Sequence, residues 1–78
     1  MLPNIGHGSY ADATINGRRY RFFSEVSVLG WGAAVFDLDR EVWYDREWAE
    51  DEEDGKRRAV EMCKPLGEIV PPLKWTKR

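Results

Sequence analysis

The sequence predicts an α+β domain: an antiparallel sheet of three to four strands with one helix packed on one face, in a βββα-like order. Three observations predict it. Asn16-Gly17 joins two alternating runs, which marks a two-residue hairpin. A further apolar run occupies 33–38. Ala59, Met62, Cys63 and Leu66 recur at spacings of three and four, the stripe of an amphipathic helix.

The 78 residues read as a single domain, with 1–9 as a loose Gly- and Pro-rich lead-in. Counting outwards from Asn16-Gly17 pairs Ile15 with Arg18, Ala13 with Tyr20 and Ala11 with Phe22. The same register sets Asp12 opposite Arg21 on a wet face shared with Thr14, Arg19 and Glu25. Residues 29–32, Leu-Gly-Trp-Gly, read as a turn or bulge before the strand at 33–38. Residues 41–44 suit either a fourth short strand or the approach to a helix. The helix is expected over about 47–64, with acids early and bases late as its macrodipole prefers, and Pro65 stopping it. Gly55 inside it is expected to weaken it by about 1 kcal/mol. The tail holds a possible edge strand at 68–70, and Pro71-Pro72 extend residues 71–78. The expected core is Ile15, Tyr20, Phe22, Val26, Val28, Phe36, Leu38, Ala59, Met62, Cys63 and Leu66.

Composition narrows the chemistry. The single cysteine, Cys63, excludes an intrachain disulfide and a multi-thiolate zinc site, which favours a reducing, cytoplasmic setting. No run approaches the ~20 apolar residues of a membrane span. His7, the one histidine, lacks a fixed acid–base partner, and Ser9, Ser24 and Ser27 form no nucleophile motif. Residues 30–32 are not a phosphate-binding loop, because no helix start and lysine follow. The expectation is therefore a protein without catalytic activity, metal or cofactor.

Charge points to binding instead. The net charge of −2 hides an uneven layout. Residues 37–54 carry ten acids against Arg40 and Arg46, a net of −8, while 55–78 carry seven bases against Glu61 and Glu68, a net of +5. The run Glu50-Asp51-Glu52-Glu53-Asp54 lacks calcium-loop spacing. As a bland reading it is a solvated helix start; yet five consecutive acids exceed what capping requires and repel one another. The leading expectation is thus a protein-binding surface formed by Asp45, Glu47, Glu50, Asp51, Glu52, Glu53 and Asp54, with Trp43, Tyr44 or Trp48 as the aromatic anchor. Such carboxylates mimic phosphate spacing, and charge reversal at 51–53 is expected to spare the fold. The rival expectation is an RNA or single-stranded-DNA platform of Arg18 with Tyr10, Arg19, Arg21 and Phe23, the last four on the outer sheet face.

With its Asn16-Gly17 hairpin, its strand at 33–38, its acid block at 45–54 and its helix at 59–66, the chain resembles small anti-CRISPR proteins and other anti-defence inhibitors of phages and mobile elements. The likeness is one of architecture and matches no motif. It implies a stoichiometric inhibitor, monomer or homodimer, that occupies the nucleic-acid groove of a bacterial effector complex in the host cytoplasm. Neither direct nucleic-acid contact nor a membrane is implied.

Overall fold

The computed structural model describes residues 7–68 and 73–77. The elements are β1 (His7–Ile15), β2 (Arg18–Ser27), β3 (Gly30–Asp37), β4 (Val42–Ala49), α1 (Glu52–Met62), a 3-10 turn (Lys64–Leu66) and β5 (Thr76–Lys77). They form one antiparallel sheet in the order β4-β3-β2-β1-β5, with α1 packed on one face. This is the α+β class the sequence predicts, with β5 as an additional strand.

The β1–β2 hairpin has the predicted register throughout, including Asp12 opposite Arg21. Asn16 and Gly17 both adopt positive φ, 50° and 80°, as a type I′ turn demands. Asn16 also donates from Nδ2 to the Leu66 carbonyl at 2.6 Å, tying the turn to the end of the helix.

Several boundaries differ from expectation, each for a tertiary reason. β1 begins at His7, so residues 7–9 are not a lead-in. A Cβ at Gly8 would stand 2.1 Å from the Ser24 carbonyl oxygen, so this glycine serves close strand approach rather than mobility. Gly30 to Gly32 lie inside β3, and the turn contracts to Val28-Leu29. Val28, expected in the core, is fully exposed at that turn. Residues 42–49 form β4, which takes 47–49 from the expected helix. Tyr44 is an extra residue in β4: Trp43 faces Phe36 while Asp45 already faces Val35, a β-bulge.

The helix starts later because two aspartates satisfy backbone N–H groups at its start. Asp51, in extended conformation, is the N-cap and accepts the Asp54 N–H at Oδ1 (2.8 Å). Asp54 accepts the N–H of Glu50, the residue before the cap, at Oδ2 (2.9 Å). α1 ends at Met62, and Pro65 lies in the 3-10 turn that follows. The expected edge strand at 68–70 and the stretch at Pro71-Pro72 lie largely outside the described residues. Beyond them the tail is not simply extended: Leu73 and Trp75 pack on the core, and β5 pairs with β1.

The core has two layers. On the helix side Ile15, Tyr20, Phe22, Ala33 and Val35 meet Ala59 and Cys63, with Met62 and Leu66 half-buried against them. Gly55 sits directly on Ser24: a Cβ there would lie 2.2 Å from Ser24 Oγ. What propensity reads as a weak point is the close contact between helix and sheet. On the opposite face Phe23, Ala34 and Phe36 form a second cluster with Tyr10, Leu38 and Trp43. Phe36 and Leu38, expected beneath the helix, therefore belong to the other side, and Val26 is only half-buried.

Candidate functional site

Three surfaces compete, and the structure separates them by what each charged group already holds. The acidic run is not a free array. Glu52 is half-buried; it accepts from Ser9 Oγ and from Lys77 Nζ, both at 2.6 Å, and so ties α1 to β1 and β5. Asp54 accepts from Arg58 Nε at 2.7 Å and pairs with Arg57. These hydrogen bonds, with Arg58 foremost and the Glu50 N–H next, hold its carboxyl far below the ordinary range. The Glu52 carboxyl is likewise lowered, first by Lys77 and then by Ser9. Glu47 meets Arg58 at 3.2 Å, and Glu53 meets Lys56 at 3.4 Å. Asp51 is the helix cap. Asp45 accepts the Arg46 N–H, and Glu50 lies exposed at the bend. Most of these acids thus have a structural partner. The expectation that reversal at 51–53 spares the fold is corrected at Asp51 and Glu52, which anchor the helix start.

The arginine face is similarly engaged. Arg19 holds Asp39 through Nε (3.0 Å), Nη2 (2.9 Å) and its backbone N–H (2.7 Å), and the Asp39 carboxyl is lowered by those contacts, the backbone bond first. Arg21 grips Asp12 at 2.6 and 2.9 Å and lies over the Tyr10 ring, 5.1 Å from its centroid. Arg18 stands 3.9 Å from the buried Asp37. Phe23, expected as an exposed stacking residue, is buried beneath Trp43, and Tyr10 is half-buried. Tyr10, Arg19, Arg21 and Phe23 are on the outer face and Arg18 is on the helix side beside Tyr20, and together they do not present an open stacking platform.

The third surface lies at the other end of that face. Successive outward positions on β3 are Gly30, Gly32 and Ala34, opposite Ser27, Glu25 and Phe23 on β2. Over them runs a groove of about 520 Å³ with Gly32 and Ala34 in its floor, lined by Trp48, Arg46, Glu25 and Leu29. Trp48 is 64% exposed and Leu29 76% exposed. A Cβ at Gly32 would meet only the Glu47 carbonyl oxygen at 3.4 Å, an ordinary contact, so the backbone does not require glycine there. Its absence of a side chain leaves the groove open. At the far end Trp43 closes the face, packing on Phe36 (5.0 Å between centroids) and Phe23 (5.6 Å), with Arg46 over its own ring at 4.5 Å. Tyr44 turns to the opposite side and meets Tyr20 edge-on at 6.3 Å.

The chain matches no protein-family model, no curated protein and no solved structure.

Of the residues expected to bind a partner, the structure brings Glu47 and Trp48 to this groove and places Trp43 at the far end of the same face. It adds Leu29, Glu25 and Arg46, which sequence reasoning passed over. A signal was present: small residues alternate at 30, 32 and 34, which puts them on one face once Gly30 is placed in the strand. Other chemistry-bearing residues lie apart. His7 is exposed on β1, and Cys63 is buried beneath α1, where burial and then the charge of Asp45 push its thiol up to about 12. Among the described residues no group of three or more His, Cys, Asp or Glu side chains is placed to hold a metal ion. No helix among them is long and apolar enough to cross a membrane.

Proposed function

We propose that this chain works without catalysis as a protein-binding inhibitor, and that its contact surface is the end of the open sheet face centred on Trp48. One observation carries the reading: a tryptophan 64% exposed on β4, beside an open groove, in a domain small enough that every aromatic would stabilise its core. Exposed Trp flanked by apolar and Arg side chains is the composition of interface hot spots, where desolvation supplies affinity that charge alone rarely does. Val28 and Leu29 extend the apolar rim. The acids at 45–54 border this surface and orient association rather than form the contact itself. The partner class we infer is the one implied by the anti-CRISPR resemblance, a bacterial nucleic-acid-handling complex. Binding at its groove would exclude nucleic acid sterically.

The test compares three tagged variants for capture of one partner from bacterial lysate: Trp48→Ala, reversal of the exposed acids Glu50 and Glu53, and the Arg19/Arg21 reversal. Trp48→Ala should lose the partner with its melting temperature unchanged. Labelled RNA and single-stranded DNA should remain unbound in low salt. Retention of the partner by Trp48→Ala would overturn the choice of surface, and salt-sensitive RNA binding lost in the arginine variant would favour the rival platform.

A further inference from the structure

Among the described residues β4 ends the sheet, with β3 as its neighbour in the strand order. Its outer backbone edge can be located from one hydrogen bond. The Arg46 N–H donates to Asp45 Oδ1 at 2.8 Å, so it points away from β3. Arg46 lies opposite Ala34 and Trp48 opposite Gly32, two residues on, so by the antiparallel alternation the Trp48 N–H and carbonyl also face outwards. Sheet edges are guarded against indiscriminate pairing by proline, charged side chains or a bulge. β4 has a bulge at Tyr44 and the exposed charges Asp45, Arg46 and Glu47, which make the edge selective, and it exposes Val42, Tyr44 and Trp48 along its length.

A second copy of the same strand is a poor occupant. A two-fold antiparallel pair always sets one residue opposite itself, and the registers that use most of β4 centre on Asp45 or Arg46. The first places Asp45 against Asp45; the second places Arg46 against Arg46 and Asp45 against Glu47. Like charges directly opposite destabilise a strand pair. The charges call for a complement instead.

We infer that β4 receives an extended segment of the partner protein as an added antiparallel strand, whose residues opposite Trp48, Glu47, Arg46 and Asp45 are apolar, basic, acidic and basic in that order. This rests on the protein-binding reading above and gives its geometry. The incoming carbonyl replaces Asp45 as the acceptor for the Arg46 N–H, and the apolar side chain lies against Trp48 at the groove. Main-chain bonds supply affinity, and the alternating side chains supply selectivity.

The probe is the blocked peptide Thr-Thr-Val-Lys-Glu-Lys-Thr-Thr, titrated into the whole protein and followed by amide NMR shifts and hydrogen exchange. The expected result is saturable shifts along β4, with slowed exchange at Arg46 and Trp48. N-methylation at Val and Glu, whose amides face β4, should weaken binding at least about tenfold; N-methylation at the two Lys should leave it nearly unchanged. The charge-swapped peptide Thr-Thr-Val-Glu-Lys-Glu-Thr-Thr should bind more weakly. Equal binding of the two methylated forms, shifts centred elsewhere, or no binding at millimolar peptide would overturn strand addition. If strand addition fails while Trp48→Ala still abolishes partner capture, the protein-binding reading stands with a different docking geometry. If Trp48→Ala captures its partner normally, the choice of the Trp48 surface falls, and strand addition beside it falls too.

Discussion

The two faces of the sheet solve the same burial problem differently. The helix face is closed by a second layer: Phe22, Tyr20 and Val35 are covered by α1, and Ser24 Oγ donates to the Glu52 carbonyl at 2.6 Å where Gly55 permits contact. Among the described residues the open face has no such layer. Phe23, Ala34 and Phe36 are nonetheless buried, because Trp43 and Tyr10 lie across them and Arg46 and Arg21 lie across those rings. Long side chains laid flat on a sheet remove neighbouring apolar surface from water while keeping their own charged ends wet. That cover fails where β3 carries Gly30, Gly32 and Ala34, and there the groove opens. A layered face fixes one structure. A self-covered face keeps a surface that a partner can complete.

Core truncation should separate the faces most strongly. Phe22→Ala should cost about 3–5 kcal/mol, a large share of the stability of a domain of this size. Phe23→Ala should cost at least about 1 kcal/mol less, because Trp43 and Tyr10 can settle into the space. Urea denaturation reads both, and equal losses would mean the open face is packed as rigidly as the other.

Gly55→Ala sharpens the account of the helix face. Helix propensity alone favours alanine by about 1 kcal/mol. Contact with Ser24 predicts the opposite sign, a net loss of about 1–3 kcal/mol, partly recovered by adding Ser24→Gly. Stabilisation by the single change would break the close-contact argument.

Acid should loosen the helix side through its start. The carboxyls of Asp54 and Glu52 are lowered in the folded chain, so they bind protons less readily there than when unfolded. Their stabilisation is complete above the ordinary carboxylate range, about pH 4, and is lost as pH falls below it through the folded values. Each exposed pair contributes modestly, so the effect should appear as a gradual fall in melting temperature below about pH 4. Asp54→Asn should flatten that fall, and a profile unchanged by the substitution would remove Asp54 from the account.

The smallest expected effect on stability is at Gly32→Val, within about 0.5 kcal/mol of wild type, since the site has room and β-branched residues suit strands. It should nonetheless fill the groove floor and weaken partner capture. Full capture by a stably folded Gly32→Val would limit the contact to the exposed rim.

Local chemistry determined what depends on near neighbours. Asn16-Gly17 can adopt positive φ in succession, so the turn and the whole β1–β2 register follow from counting. The stripe from Ala59 to Leu66 likewise locates the helix. The Asp51 cap on the Asp54 N–H is equally local, but it went unread because the acids around it form a charge block whose other partners are remote. Ser9 and Lys77, which hold Glu52, lie 43 and 25 residues away. Only the tertiary structure decided which carboxylates and arginines were already paired. It also decided that Phe23 is covered while Trp48 and Val28 are exposed. Alternation along a strand assigns a residue to a face, but whether that face is closed depends on which distant element packs over it. Here α1 covers one face, and the other keeps the groove beside Trp48.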